Sequence, residues 1–329
     1  MKILTIITGG TIGSTTSGST TSLDESKNYA LINEYEKKFS GDIDFTVVSP
    51  YRILSENITA NELNLLIDCV NENLEKDFDG IIVTHGTDTL QYTASALGFC
   101  FTGAKIPIVM VSANYPLDNA NGNGHQNFEA AVKFIESGVS HGVFVSYKNT
   151  HSDYTHIHFA TRLYSHLEIT DEVYSIRNQV FAYYKDGKIE KNDKFVVTTS
   201  KNENTLYRYK NKTGILVISS LVGDSFNYDL SEAKAVLIRP YHSGTINTAD
   251  GGLESFCKKA KEMGVPVFIL SNGMGADYES TNVFSQYNIV KLPFSTFISQ
   301  YMKLWIAISN DLDVKEFMKN ELAGEFCKE

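Results

Sequence analysis

The chain has 329 residues, which is more than one hydrophobic core usually serves, so its length predicts two domains. Hydrophobic residues make up 42% and charged residues 21%, values that are typical of a globular protein and argue against wholesale disorder. The formal net charge of −10 predicts an acidic surface, which argues against nucleic acid or an anionic membrane as the main partner.

The sequence contains no apolar run near the length of about 20 residues that a membrane-spanning helix needs. The N-terminal apolar segment is short and breaks into Thr-Gly-Gly, with no small-residue cleavage site after it. This pattern predicts a buried first strand rather than a signal peptide. We therefore expect a cytoplasmic protein.

Apolar strands alternate with helices through the first half of the chain. The pattern predicts strands over 2–8, 45–48, 80–84, 106–112 and 142–147, and helices over 60–74, 88–100 and 127–137. Continuous apolar strands of this kind indicate a parallel sheet that is covered on both faces and binds ligands beyond the carboxyl ends of its strands. The Thr-, Ser- and Gly-rich segment 14–22 predicts a mobile loop.

A second alternation follows a polar stretch. Lys, Asn, Asp, Thr and Ser dominate residues 191–212, which predicts an exposed linker. Strands are then expected over 214–219, 235–239 and 265–270, and helices over 252–263 and 297–309. The expected fold class is α/β with two α/β domains: a larger N-terminal doubly wound, mainly parallel sheet over 1–190, and a smaller C-terminal domain over 213–329.

Two glycine-containing loops follow apolar strands: Thr-Gly-Gly-Thr at 8–11 and Thr-His-Gly-Thr-Asp at 84–88. Gly10 and Gly86 allow the backbone to approach a ligand closely, and the helix after the second loop offers N–H donors for a carboxylate or an oxyanion. A threonine hydroxyl is a weak nucleophile that needs a neighbouring base. Each loop alone is more typical of a turn or helix cap than of a site, but two such loops in one sheet favour a site.

The two loops resemble the signature motifs of the bacterial asparaginase/glutaminase family, in the expected order, and the resemblance extends along nearly the whole chain. It implies hydrolysis of the side-chain amide of L-asparagine, or of L-glutamine, through a threonine nucleophile and an acyl-enzyme intermediate. It also implies a small amino-acid amide as the substrate, no cofactor, no metal, and assembly as a homodimer or homotetramer.

The catalytic roles that the resemblance implies fall on four residues. Thr11 matches the primary nucleophile of the family, and Thr87 matches its second catalytic threonine. Asp88 matches the carboxylate that binds the substrate α-amino group. Tyr29 matches a loop tyrosine that helps to activate the nucleophile, although the same residue is also typical of simple packing.

The resemblance assigns substrate binding to a second group of residues. Ser55 matches the serine that binds the α-carboxylate, and Glu56 stands beside it where many relatives carry glutamine or another polar residue. Ala113 matches a backbone contact to the substrate amide, and Gly10 and Gly86 allow the close approach. Ser55 and Ala113 are also ordinary helix-start and turn residues.

Two positions depart from the family pattern. Arg162 stands where the family carries a lysine that partners Thr87 and Asp88, and arginine effectively cannot lose its proton to act as a base. We expect Arg162 to orient these two residues electrostatically; a shifted alignment that brings Lys148 to the site, a different proton path, and a poor catalyst that mainly binds its ligand are the alternatives. Asn123 replaces a carboxylate, which alters the loop that supports the site.

The C-terminal half offers two more loops, at 241–245 and 273–279. In the family, the corresponding loops complete the site of a neighbouring subunit, which suggests a contact from Thr245 or Asn247 and from Asp277 or Glu279. Each of these residues taken alone is typical of a solvated loop. The histidines of the chain fit no common zinc spacing, so we expect no metal.

Two other functions compete with asparagine hydrolysis. Arg162 favours a ligand-binding protein that has lost efficient catalysis on the same scaffold. Asn123 and Glu56 favour an amidohydrolase that acts on another small amide.

Overall fold

The computed structural model describes residues 1–10, 14–17, 20–23, 29–39, 42–197, 203–271 and 278–327. These ranges form an eight-stranded sheet, a four-stranded sheet and a two-stranded hairpin, with helices between them. The predicted α/β fold class is confirmed. No helix within the described ranges combines the length and the apolar character needed to cross a bilayer.

The large sheet contains the parallel strands that the sequence predicts, extended at one edge by three antiparallel strands. The parallel strands are β1 (Lys2–Ile7), β4 (Asp44–Val48), β5 (Gly80–Thr84), β6 (Pro107–Val111) and β7 (Gly142–Tyr147). The antiparallel strands are β8 (Thr155–Phe159), β9 (Ala182–Lys185) and β10 (Lys188–Lys191). The order across the sheet is β10-β9-β8-β7-β6-β5-β1-β4.

Helices cover both faces of this sheet. They are α1 (Ala30–Lys38), α2 (Ala60–Leu74), α3 (Leu90–Cys100) and α4 (Gly124–Ser137). The helices α2 and α3 pack into one hydrophobic cluster, and α1 and α4 pack into a second cluster on the opposite face. Because strands such as β5 and β6 are buried on both faces, their sequences are continuous apolar runs.

Strand order reverses at β1, which places a ligand crevice there. The chain runs from β1 outward to β4 and then crosses back over β1 to β5. In open α/β sheets, the loops at such a reversal diverge to opposite faces and leave a crevice at the carboxyl ends of the strands. The two motif loops follow β1 and β5, so both lie at this crevice.

The connection between β6 and β7 has the opposite hand to its predecessors. The β5–α3–β6 and β6–α4–β7 connections move in the same direction along the sheet, but α3 and α4 cover opposite faces. Parallel crossovers are right-handed in about 98% of cases, so β6–α4–β7 is the left-handed one. This crossover places α4 on the same face of the sheet as α1, against which it packs.

The smaller sheet is parallel throughout. Its strands are β11 (Ile215–Ser219), β12 (Ala235–Arg239), β13 (Val267–Ile269) and β14 (Ile289–Lys291), and its helices are α5 (Gly252–Glu262) and α6 (Val283–Gln286). Two helices follow, α7 (Phe297–Ser309) and α8 (Val314–Lys319). Ile298, Met302 and Ile306 of α7 pack into the core of the large sheet, whereas Leu304 and Ile308 pack under the small one. The two sheets therefore share α7.

Two local predictions need correction. Part of the segment predicted as a mobile loop forms an antiparallel hairpin of β2 (Ser14–Ser17) and β3 (Thr20–Leu23), where threonine, a residue that favours strands, is frequent. In the stretch predicted as an exposed linker, most of the described residues are exposed, but two tyrosines near its end are buried. Tyr207 and Tyr209 are buried there, and the Tyr209 amide donates to the Asn64 side chain at 3.0 Å.

Candidate active site

The loops after β1 and β4 are joined by backbone hydrogen bonds. The Ile53 amide donates to the Thr8 carbonyl at 3.0 Å, and the Gly10 amide donates to the Ile53 carbonyl at 3.2 Å. The Thr8 hydroxyl donates to the Thr84 carbonyl at 2.7 Å, which ties the end of β1 to the end of β5. The loops that follow three neighbouring strands therefore form one rigid platform.

Glycine is required where these loops meet. Gly10 has a φ of +79°, and a Cβ there would lie 2.3 Å from the Gly86 nitrogen. A Cβ on Gly86 would lie 2.4 Å from the Ser55 hydroxyl oxygen. Real Cβ atoms do not approach other atoms this closely, so only glycine permits the contact of the three loops. The structure thus brings together three of the predicted substrate-binding residues: Gly10, Gly86 and Ser55.

Thr87 and Asp88 lie in the turn between β5 and α3. The Leu90 amide donates to the Thr87 carbonyl at 3.2 Å, and α3 begins two residues later than predicted, with Thr89 as its N-cap. The Thr89 hydroxyl donates to the Ser55 carbonyl at 2.8 Å. Thr87 is half-buried and Asp88 is exposed. Both predicted residues therefore face the same end of the sheet as Ser55.

The remaining predicted residues are only partly placed. Thr11 lies outside the described residues. Tyr29 is 54% exposed at the start of α1, and Glu56 is exposed beside the buried Ser55. Ala113 is fully buried after β6. The assignments of Thr11 as nucleophile and of Tyr29 as its activator therefore stay predictions.

The imidazole ring of His85 is buried next to Gly86 and is uncharged. The side chain is fully buried, and Nδ1 lies 2.8 Å from the Gly86 carbonyl oxygen, to which it donates. Burial lowers the pKa of His85 from its ordinary value of 6.5 to about 4, against smaller opposing effects of the Gly86 carbonyl and of Asp88. His85 therefore supports the Gly86 peptide as a neutral donor near pH 7.

Asn123 has a structural reason to be an amide rather than a carboxylate. Its Oδ1 accepts from the Asn114 amide at 3.0 Å, and its Nδ2 donates to the Lys148 carbonyl at 2.8 Å. A carboxylate at this position would still accept from the Asn114 amide, but it would have no N–H for the Lys148 carbonyl oxygen and would repel it. This departure from the family pattern therefore joins the segment after β6 to the segment after β7.

The structure corrects the expectation for Arg162. Its Nε donates to the Gly324 carbonyl at 2.7 Å, and its Nη1 and Nη2 donate to the carbonyls of Val196 and Phe326, each at 2.9 Å. The guanidinium also lies 4.9 Å from the centre of the Phe195 ring. These bonds fasten the C-terminal segment to the large sheet, and none of them reaches the turn that carries Thr87.

Sequence reasoning did not identify His166, which the structure places against that turn. Its Nε2 lies 2.8 Å from the Thr87 carbonyl oxygen, and its Nδ1 lies 3.1 Å from the Glu172 carbonyl oxygen. The ring also lines a cavity of about 800 Å³ between the two sheets, together with Arg177 and Arg239. A lone histidine in a polar segment carries no motif, so the sequence offered no signal for it.

Two of the candidate residues in the C-terminal loops bond to residues within their own loop. The Thr245 hydroxyl lies 3.0 Å from that of Ser243, and the Asn247 side chain donates to Asp250 at 2.8 Å. Glu279 is exposed, and Asp277 lies outside the described residues. Within the described ranges, no three His, Cys, Asp or Glu side chains are grouped so as to hold a metal ion.

A family model matches more than half of the chain, and solved structures match nearly all of it. A family model described as Asparaginase, N-terminal, matches residues 2–196. The thermostable L-asparaginase from Thermococcus kodakarensis superposes with a TM-score of 0.81 at 21% identity over 100% of both chains. L-asparaginase I from Vibrio cholerae gives a TM-score of 0.80 at 22% identity over 99% of both chains. At these identities, the likeness to solved structures shows the fold.

Sequence relatives of the chain include the D subunits of archaeal glutamyl-tRNA(Gln) amidotransferases. The subunit from Methanosphaera stadtmanae is 27% identical over 294 residues, which is 84% of this chain and 65% of the relative. The subunit from Sulfolobus acidocaldarius is 28% identical over 342 residues, which is 98% of this chain and 75% of the relative. For two subunits from Methanococcus maripaludis and Methanosarcina acetivorans, the chain spans 41% and 38% of the relative's length.

Proposed function

Since the chain belongs to the asparaginase family, we propose that it is an amidohydrolase that converts L-asparagine to aspartate and ammonia. The observation that carries the proposal is the convergence of Gly10, Ser55 and the Thr87–Asp88 turn at the carboxyl end of the sheet. A polar crevice at this point, with a carboxylate on the turn, suits a small zwitterionic amide.

The reaction proceeds in two steps through the threonine that the family pattern marks. The Thr11 oxygen bonds to the side-chain amide carbon, its proton passes to the amide nitrogen, and ammonia leaves an ester on Thr11. A water oxygen then bonds to the ester carbon, its proton returns to the Thr11 oxygen, and aspartate leaves. Thr87 acts in proton transfer and polarisation, because this half-buried residue lies on the fixed turn.

Substrate recognition uses two charges. The Asp88 carboxylate is exposed at the crevice and binds the α-ammonium group. Ser55 donates to the α-carboxylate, beside the N–H groups of the turn that leads into α3. This division assigns the amide end of the substrate to the threonines and its amino-acid end to Asp88 and Ser55.

We also propose a homo-oligomer. Several large apolar side chains are well exposed on the described surface: Leu167, Ile169, Leu221 and Val222. Exposed apolar side chains that lie together are typical of surfaces that a second chain covers, and these four fall at two places in the chain, 167–169 and 221–222. The loops that carry Thr245 and Glu279 are the parts of the C-terminal sheet that we expect to complete a neighbouring site.

Ammonia release from an amide panel tests the function. Purified protein is assayed with L-asparagine, L-glutamine and succinamate, which is asparagine without its α-amino group. We expect turnover of asparagine, little turnover of succinamate, and no turnover by Thr11→Ala. Equal turnover of succinamate and asparagine would contradict the role of Asp88, and full activity of Thr11→Ala would contradict the nucleophile.

The sequence relatives support a second candidate function, that of an amide-hydrolysing subunit within an amidotransferase. In that case, the ammonia would pass to a second protein that uses it to amidate another substrate. Ammonia release by the isolated chain at a rate that added cell extract does not change favours the stand-alone hydrolase. Release that occurs only with a co-purified protein favours the subunit.

A further inference from the structure

The contact between His166 and the Thr87 turn joins two segments that are 79 residues apart. The ring stands between two backbone oxygens, with Nε2 at 2.8 Å from the Thr87 oxygen and Nδ1 at 3.1 Å from the Glu172 oxygen. Both distances are within the range of N–H···O hydrogen bonds. His166 therefore bridges the turn after β5 and the segment 166–172.

The chemistry of the two oxygens determines the direction of the bonds. A carbonyl oxygen only accepts, so a ring nitrogen that bonds one must carry a proton. Of the two ring nitrogens, Nε2 makes the shorter contact, 2.8 Å against 3.1 Å for Nδ1, and we assign the N–H to Nε2. The Thr87 oxygen has two lone pairs, and the Leu90 amide uses one of them at 3.2 Å. The second lone pair is therefore available to the Nε2–H of His166.

The turn is thereby held from both ends. The Thr89 hydroxyl fastens its far end to the Ser55 carbonyl at 2.8 Å, and His166 fastens its near end at Thr87. Orientation of the Thr87 peptide sets the direction of the Thr87 hydroxyl and of the next side chain, Asp88. A displacement of about 1 Å at a reacting group can lower a rate about 100-fold, so such an anchor has a kinetic consequence.

We propose that His166 is a positioning residue of the amide-hydrolysing site, which fixes the Thr87–Asp88 turn through a hydrogen bond from its Nε2–H to the Thr87 carbonyl. The inference rests on the proposed function and deepens it. Arg162, the basic residue that the family pattern assigns to this turn, is bonded to the C-terminal segment instead. His166 is a basic side chain that does reach the turn, from a position four residues further along the chain.

Paired substitutions at His166 test the proposal. A glutamine can place an N–H donor near the position of Nε2, whereas an asparagine reaches only as far as Nδ1. We expect His166→Gln to keep kcat/KM for asparagine within about threefold of the wild type, and His166→Asn and His166→Ala to lower it about 10- to 100-fold. Melting temperatures of the Gln and Asn variants should be alike, which separates positioning from general stability.

His125→Gln is the matched control. The Nε2 of His125 also lies near a backbone oxygen, that of Leu117 at 3.2 Å, but on α4 rather than on the turn. We expect this variant to retain wild-type kcat/KM. Wild-type kcat/KM in His166→Ala, or rescue by asparagine rather than by glutamine, would overturn the proposal.

An NMR measurement is independent of activity. In protein labelled with ¹⁵N-histidine, the His166 ring should show a proton on Nε2, and this signal should disappear in His166→Gln. A bare Nε2 would overturn the proposal even if the protein is active. If the wild type releases no ammonia from any amide while Nε2 is protonated, the proposed function fails and the anchoring bond survives.

Discussion

Individual residues decide whether the three loops can meet, and the clearest case is a pair of glycines. Gly10 and Gly187 have nearly equal φ angles of +79° and +80°. A Cβ on Gly10 would lie 2.3 Å from the Gly86 nitrogen, whereas a Cβ on Gly187 would meet nothing within 4 Å. A side chain at either position would therefore have the same unfavourable left-handed backbone, and only a side chain at Gly10 would also clash with a neighbouring loop.

We expect Gly10→Ala to abolish detectable ammonia release and to destabilise the fold by several kcal/mol, because the loops after β1 and β5 must separate. Gly187→Ala should lower the free energy of unfolding by only about 1 kcal/mol and leave activity unchanged. Urea unfolding and the ammonia assay check both variants. Equal losses in the two variants would show that backbone strain, and not loop contact, explains the effect.

Burial of His85 predicts a dependence of stability on pH. The pKa of His85 is about 4 in the folded chain and 6.5 ordinarily, so at pH 5 the unfolded chain binds a proton that the folded chain does not. Stability from this group is complete above pH 6.5 and is lost as the pH falls towards 4. The loss between pH 7 and pH 5 should be about 2 kcal/mol.

Substitution isolates this contribution from that of other groups. His85→Asn keeps a donor near the position of Nδ1 but does not titrate, so the difference in unfolding free energy between pH 7 and pH 5 should shrink by about 2 kcal/mol. His141→Asn, at an exposed histidine, serves as the control and should leave that difference unchanged. An unchanged difference in His85→Asn would contradict the buried neutral ring.

Secondary-structure elements were predictable to different degrees from the sequence. Strands such as β5 and β6 are continuous apolar runs, and a fully buried parallel strand has that pattern. The antiparallel strand β8 reads Thr-His-Ile-His-Phe, and its two histidines interrupt the apolar pattern by which a buried strand is recognised. Its burial depends on the neighbouring strands β7 and β9. The sequence singles out Ser55, Thr87 and Asp88 as candidates because they stand in motif-like segments, whereas His166 stands in none.

Arg162 shows that a motif does not determine the direction in which a side chain points. The sequence places a basic residue at the position of the family's lysine, but the direction of its side chain depends on a C-terminal segment 162 residues away. That segment presents backbone carbonyls that accept from Arg162. The residue therefore links elements rather than serving the Thr87 turn.

We expect Arg162→Lys to lower the free energy of unfolding by about 2–4 kcal/mol, because one ammonium group cannot reproduce three fixed hydrogen bonds. It should not raise the rate of ammonia release. Arg208→Lys is the control, since Arg208 forms a surface ion pair with Asp68 at 2.6 Å and should have little effect. A tenfold gain in turnover by Arg162→Lys would show that position 162 serves catalysis after all.

At the scale of the whole molecule, α7 and the C-terminal segment hold the two sheets together. The Lys303 ammonium group of α7 is completely buried and lies 2.6 Å from the equally buried Glu325 carboxylate. Glu325 also accepts from the amides of Leu322 and Ala323. The sequence did not predict this pair, since neither residue belongs to a motif and the linkage depends on the completed fold.

Removal of one member of this pair leaves the other charge buried without its partner. Lys303→Met and Glu325→Gln should each cost about 3–5 kcal/mol of unfolding free energy, and the double variant should cost less than their sum. Lys210→Met, which removes an exposed ion pair with Asp311, should change stability little. Additive losses in the double variant would contradict a direct interaction across the buried pair.

The most direct measurement is ammonia release from L-asparagine by the purified chain and by Thr87→Val, which removes the hydroxyl and keeps the side-chain shape. The convergence of loops around Thr87 predicts that the wild type turns over asparagine and that Thr87→Val, equally folded by circular dichroism, is at least about 100-fold slower. Wild-type rates in Thr87→Val would contradict an amide-hydrolysing site built on this turn.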